Sequence, residues 1–274
     1  MSAPAPPITV SEPIGALGPA LTVSYVNGSP IAPGGVVFQG GTQPATGINN
    51  RDQLVVTGTT AATILHTVTN ATDGAIAVNG AAVITYNGIE SVVDGLVVAD
   101  RGFQFGANPD TVVLSDDGVA DNGQSKLTYG AKEFLFANST NSLVVNGGNG
   151  DDLLSAVGLD SSFPSDADLF LQGELGNDTI DTSEANRAFV MVGGDGNDVI
   201  FGNDSDEVIS LDAGNDVING NGGTDRIVAT NLKGAVTLNN ALCPPDEYCT
   251  VRFIPLLATA VNESLIASSP VKLT

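Results

Sequence analysis

The sequence predicts an all-β protein, a right-handed parallel β-solenoid in which a β-helix passes into a β-roll, with a cap at each end. Three observations predict it. A nine-residue pattern recurs between Gly147 and Val228, short β-branched segments precede it, and no stretch carries the 3.6-residue apolar period of a helix. Of the 274 residues, 33 are glycine and 42% are apolar, which suits a packed chain with many turns rather than a disordered one.

Four consecutive nonapeptides run GGDGNDVIF (193–201), GNDSDEVIS (202–210), LDAGNDVIN (211–219) and GNGGTDRIV (220–228), and two more, GGNGDDLLS (147–155) and GELGNDTID (173–181), stand upstream. Three columns hold. The fourth position is Gly150, Gly176, Gly196, Gly214 and Gly223, with Ser205 the exception. The sixth is Asp152, Asp178, Asp198, Glu207, Asp216 and Asp225; the eighth is Leu154, Ile180, Ile200, Ile209, Ile218 and Ile227. Gly, Asn and Asp in the first six places build a tight turn, and the x-apolar-x that follows is a minimal strand with its central side chain turned inward. One unit buries a single aliphatic residue, so only a stack of them is stable.

If two nonapeptides make one coil, residues 18 apart stack. Asp198 then lies over Asp216 on one side and Glu207 over Asp225 on the other; Asp152 and Asp178 extend the first column through coils lengthened to 26 and 20 residues. Coils about 4.8 Å apart place carboxylates where like charges repel, beside turns that aim bare carbonyl oxygens at the same gap. Several hard oxygens in an adaptable cage describe Ca²⁺, since Mg²⁺ demands tighter octahedral geometry.

These columns resemble the G-G-x-G-x-D-x-U-x consensus of the RTX, or haemolysin-type, calcium-binding repeats. The resemblance covers about a third of the chain and implies a parallel β-roll with Ca²⁺ held between successive turns. It makes Asp152, Asp178, Asp198, Asp216 and Asp225 side-chain ligands, with Glu207 standing where the family has Asp. Gly147, Gly148, Gly193, Gly194, Gly202 and Gly220 become carbonyl donors. Asn149, Gly173, Asp195, Asp204, Asp212 and Gly222 complete the same turns. Glu174, Leu175, Leu211 and Asp212 depart from the consensus, in places the family fills with Gly or a small polar residue. Five or six ions are expected.

The remainder divides by composition. Residues 1–45 hold 8 of the 14 prolines and are expected to be a linker and cap, with Pro4–Pro7 extended and a capping strand over Leu21–Val26. Residues 46–145 are expected to form degenerate solenoid coils. Ile48–Val55 and Gly106–Val113 each place an Asp (Asp52, Asp110) two residues ahead of an apolar run. Strands are expected at Ala82–Tyr86, Val92–Val93, Leu96–Val98, Phe103–Phe105, Lys126–Tyr129 and Phe134–Phe136. Residues 146–230 form the repeat region. Residues 231–274 are a second cap, with strands at Val251–Leu257 and Ser264–Ala267. Cys243 and Cys249 flank a Pro-rich loop, either as a buried free pair or, in an oxidising compartment, as a disulfide contributing about 2 kcal/mol.

The charge narrows the partners. There are 31 acids against 9 Lys and Arg, a net charge of −22, and 17 of those acids lie between Asn146 and Val228 opposed by only Arg187 and Arg226. Nucleic acid is excluded, because phosphate needs a cationic footprint. No apolar run approaches the 20 residues of a membrane span; the longest, near Phe253–Val261, is interrupted by Pro255. No basic n-region with an apolar h-region opens the sequence, so an exported or surface protein without a visible N-terminal signal, or an excised piece, is expected.

No catalytic motif stands out. His66 is the single His and is expected to be an ordinary strand residue; G-x-S-x-G, H-E-x-x-H, Walker A and EF-hand patterns are missing. The expected role is therefore a calcium-binding structural or adhesive module and not an enzyme, its partners being calcium and either a second copy or a surface polysaccharide. Two alternatives stay open: a calcium-stabilised uronate lyase or epimerase, and an ice- or mineral-binding solenoid hinted at by Thr57-Gly58-Thr59 and Thr67-Val68-Thr69.

Overall fold

A computed structural model describes residues 8–11, 20–27, 29–31, 34–40, 52–80 and 83–229, and the backbone of 235–238, 249–253, 264–267 and 271–273. Every regular element among them is a strand. In chain order these are β1 (Ile8–Ser11), β2 (Ala20–Ser24), β3 (Val36–Gln39), β4 (Gln53–Thr57), β5 (Thr60–Val68), β6 (Gly74–Val78), β7 (Val83–Asn87) and β8 (Ser91–Asp94). Next come β9 (Val97–Gln104), β10 (Thr111–Asp116), β11 (Gln124–Tyr129), β12 (Lys132–Ala137), β13 (Ser142–Asn149), β14 (Leu153–Val157), β15 (Asp168–Leu175) and β16 (Thr179–Glu184). The last are β17 (Val190–Asp195), β18 (Val199–Phe201), β19 (Val208–Leu211), β20 (Asp216–Asn219), β21 (Arg226–Ala229), β22 (Ala235–Leu238), β23 (Cys249–Phe253), β24 (Ser264–Ala267) and β25 (Val271–Leu273). The chain divides into two compact units: Met1–Phe105 with Asp116–Leu143 and Asp160–Ala167, and Gly106–Ser115 with Val144–Leu159 and Asp168–Thr274.

In the second unit the strands alternate between two sheets, β13-β15-β17-β19-β21-β23-β25 and β10-β14-β16-β18-β20-β22-β24. From β15 onward in the first sheet and throughout the second, neighbours are parallel, and register follows the repeat: Leu154 pairs with Ile180, Ile180 with Ile200 and Ile200 with Ile218, while Met191 pairs with Ile209 and Ile209 with Ile227. Each of these side chains is at most 2% exposed. The eighth column is therefore two aliphatic ladders, one per sheet, each rung stabilising by roughly 1.5–3 kcal/mol through burial.

The first unit holds the sheets β1-β3-β7-β6-β5-β9 and β2-β4-β8-β12-β11. Here the expectation of parallel coils throughout needs correcting. β6 runs antiparallel to both β5 and β7, and β11 runs antiparallel to β12. The cause is turn chemistry. Asn79 and Gly80 both take left-handed φ, 52° and 62°, which matches the twist of a hairpin; Gly130 at φ 58° turns β11 into β12. Between β5 and β6, the Asn70 side chain accepts the N–H groups of Thr72 and Asp73, at 2.9 Å each. The segments Leu96–Val98 and Phe103–Phe105 also merge into the single strand β9, which leaves only Phe105 outside it together with Leu96.

His66 is indeed a strand residue, but a fully buried one. Its Nε2 lies 2.9 Å from Asp94 Oδ2 and its ring stacks on Phe103 at 4.7 Å between centroids. Among the described residues no helix is long and apolar enough to cross a membrane. Pro4–Pro7 and Cys243 lie outside the described residues, and Cys249 is described only as backbone in β23. Replacing the ladder residue Ile200 with Ala should cost about 2–5 kcal/mol in urea unfolding of the calcium-loaded protein. A loss below about 1 kcal/mol would contradict the ladder.

Candidate metal centre

Glycine opens the turns to carboxylates. A Cβ at Gly147, Gly173 or Gly193 would stand 2.2–2.4 Å from Oδ2 of Asp152, Asp178 or Asp198, the acid five residues on. At Gly202 it would stand 2.7 Å from Glu207 Oε2 and 2.6 Å from the carbonyl of Gly220. Only a residue without a side chain lets the acid fold back beneath its own turn. The fourth column answers a different demand, close approach between coils: a Cβ on Gly196 would sit 1.6 Å from the carbonyl oxygen of Gly176.

The sixth position makes the coil-to-coil contact. The backbone N–H groups of Asp152, Asp178 and Asp198 donate to Oδ1 of Asp178, Asp198 and Asp216 at 2.8, 2.9 and 3.0 Å. On the other side the N–H of Glu207 donates to Oδ1 of Asp225 at 3.0 Å. One oxygen of each accepting acid is thus used. The other is buried and has no protein partner: Oδ2 of Asp152, Asp178, Asp198, Asp216 and Asp225, and Oε1 of Glu207. All six acids are at most 2% exposed. No ion pair among the described residues reaches them.

Burial followed by the neighbouring Asp residues pushes the carboxyls of Asp152 and Asp198 up to about 7. Burial likewise raises Asp178 and Asp216, and raises Glu207 and Asp225, which face each other across a coil gap. Six buried carboxylates without counter-charge cannot all stay ionised; they take up protons or a cation. Among the described residues no three His, Cys, Asp or Glu side chains converge on one point. A cation here must therefore draw on main-chain carbonyls as well, which suits a hard ion of high coordination number.

The other expected residues sit around these columns. Asn149, Asp195 and Asp204 are exposed and Asp212 is half-buried, in contrast to the six. Gly148 and Gly194 take φ of 97° and 102°; the carbonyl of Gly220 faces Gly202, and Asp204 Oδ1 lies 2.8 Å from where a Cβ on Gly222 would stand.

Two further features were open to the repeat alignment but absent from the expected set. Asp110 adds a rung, its N–H donating to Asp152 Oδ1 at 2.8 Å. The fifth column forms a second ladder: Oδ1 of Asp151, Asn177 and Asn197 accepts from the N–H of Asn177, Asn197 and Asn215 at 2.8, 3.0 and 2.9 Å. Asp206 accepts from Thr224 in the same way at 2.7 Å. Column six receives from the preceding coil and column five from the following one. The signal was an oxygen-bearing side chain at every fifth position.

Residues 190–218 and 201–231 match the family model described as RTX calcium-binding nonapeptide repeat (4 copies). No curated protein and no solved structure matches the chain. Residues 190–231 are thus a run of RTX repeats, and repeats of this family bind Ca²⁺. The oxygens present fit that ion, and the nonapeptides at 147 and 173 repeat the same hydrogen-bond geometry outside the matched stretch.

The raised carboxyls fix the sign of a pH effect. Without divalent ions the folded repeats hold more protons than the unfolded chain between about pH 4 and 7, so stability present at low pH is lost as pH rises through that window. Asp100, held below the usual range by hydrogen bonds from Asn141 and Ser142, works in the opposite sense. The melting temperature of chelated protein should fall as pH rises from about 4 to 7; a rise by calorimetry would contradict the buried, unpaired carboxylates.

Proposed function

We propose that this chain is a calcium-dependent structural or adhesive module of an exported or cell-surface protein, whose residues 146–230 fold as Ca²⁺ enters the carboxylate columns. The observation that carries it is the set of six buried carboxylate oxygens without protein partners, stacked in register through a stretch that ends in RTX repeats. Ca²⁺ would supply the missing positive charge and accept 6–8 oxygens at about 2.3–2.6 Å.

The chain's own residues do the rest. Asp152, Asp178, Asp198, Glu207, Asp216 and Asp225 present carboxylates. The turns at Gly147, Gly148, Gly173, Gly193, Gly194, Gly202, Gly220 and Gly222, with Asn149, Asp195, Asp204 and Asp212, present the remaining oxygens. About five or six ions are accommodated, roughly one per coil gap on each side. With calcium scarce, the columns repel and stay open; at the millimolar calcium of an extracellular fluid, binding free energy becomes folding free energy.

In this reading the coils are right-handed, as parallel crossovers almost always are. Residues 1–45 and 231–274 cap the ends, residues 46–145 form the degenerate coils, and the partner is a second copy or a surface polysaccharide. Titrating Ca²⁺ into chelated protein should raise far-UV β signal and melting temperature, with Mg²⁺ at equal concentration ineffective. A native mass should then count five or six bound ions; an unchanged spectrum and mass would sink the proposal. Asp198→Asn keeps the Oδ1 acceptor and removes the charge, and should raise the calcium midpoint about tenfold.

A further inference from the structure

We propose that the ammonium group of Lys132 is a tethered cation that closes the carboxylate column of the first unit, so that this unit folds without a divalent ion. The strand register places it there. Gln53 pairs with Ser91 and Ser91 with Glu133, so the residues just before them, Asp52, Glu90 and Lys132, fall in one column. Its hydrogen bonds copy those of the repeats. The N–H of Asp52 donates to Glu90 Oε2 at 3.0 Å, as that of Asp152 does to Asp178. Ser91 and Glu133 donate to the carbonyls of Asp52 and Glu90 at 3.2 and 3.0 Å, as Thr179 and Val199 do to those of Asp152 and Asp178. Even the opening glycine is matched, since a Cβ on Gly40 would lie 2.8 Å from Asp52 Oδ2 and 2.2 Å from the carbonyl of Gly88.

Where the second unit offers the next carboxylate, this column offers Lys132. Its side chain is fully buried, its Nζ donates to the carbonyl of Ile89 at 2.7 Å, and the group stands 4.3 Å from the centroid of Tyr86 and 5.4 Å from that of Phe134. A buried ammonium persists only with such compensation. Burial draws its pKa down to about 7, and the charges of Glu90 and Asp73 oppose that fall. The same unit's Asp94 is likewise met by the chain's own groups: it forms an ion pair with Arg101, accepts from Leu96 N–H at 3.1 Å and faces His66. Arg101 in turn donates to the carbonyl of Leu96 at 2.8 Å and lies 5.1 Å from the Phe136 ring centroid.

This inference rests on the calcium reading only for the contrast between units, and hydrogen exchange of the full chain separates the two. In chelator, peptides from 52–105 and 124–137 should keep the protection they have in calcium, while those from 147–228 lose theirs. Loss in both regions overturns the tethered cation; loss in neither overturns the calcium reading and leaves Lys132 to the variants. Lys132→Met should lower protection of β4, β8 and β12 at pH 7 by on the order of a hundredfold, with or without calcium. Adding Glu90→Gln, which keeps an acceptor for Asp52 and removes the charge, should restore most of it. Unchanged protection in the single variant, or no rescue in the double, overturns the proposal.

Discussion

A backbone N–H that donates to the carboxylate of the next coil is the contact on which the repeat unit depends. It brings an acid to the inner edge of every turn and holds it there at 2.8–3.0 Å. That grip uses one oxygen and strands the other in a site closed to water, where a charge is unstable alone. Everything near it follows: glycine where the acid folds back, glycine where two coils touch, aliphatic ladders that keep the acids in line. The hydrogen bond that registers the coils is thus also the source of the electrostatic strain that a cation relieves.

The two units answer the same column in different ways. The second leaves its buried oxygens without a partner in the protein, where a proton or a cation can meet them. The first has cations of its own: Lys132 in the column and Arg101 beside Asp94. Behind the net charge of −22 lie two unlike situations, buried acids beside the chain's own basic groups in the first unit and buried acids without an ion-pair partner in the second.

Legibility in the sequence followed periodicity. Over residues 147–228 three recurring columns were enough to stack Asp198 on Asp216 and Glu207 on Asp225, and even the lengthened coils ending at Asp178 and Asp198 came out at 26 and 20 residues. The fifth-column ladder was just as periodic but carries Asp, Asn and Thr in turn, so it reads as generic turn chemistry until the direction of its hydrogen bonds is known. Upstream, no fixed period exists. Asp52 meets Glu90 across 38 residues because two hairpins intervene, and the Asn79-Gly80 pair that makes one of them was legible as a hairpin signal. Lys132 was illegible for another reason: a lone Lys before an apolar strand looks like any solvated base, and only register reveals that it stands in line with two acids.

The sixth-column bonds all point one way along the chain. Each coil's N–H is answered by a carboxylate that comes later in the sequence, so a coil is complete only once its successor is in place. The stack consequently has a polarity. Shortening it from the C-terminal side leaves the N–H of a buried sixth-column residue unanswered, whereas shortening it from the N-terminal side leaves unanswered that of an exposed fifth-column residue such as Asn177, which water replaces more readily. The two ends of such a stack are therefore not equivalent, and fraying at one exposes different groups from fraying at the other.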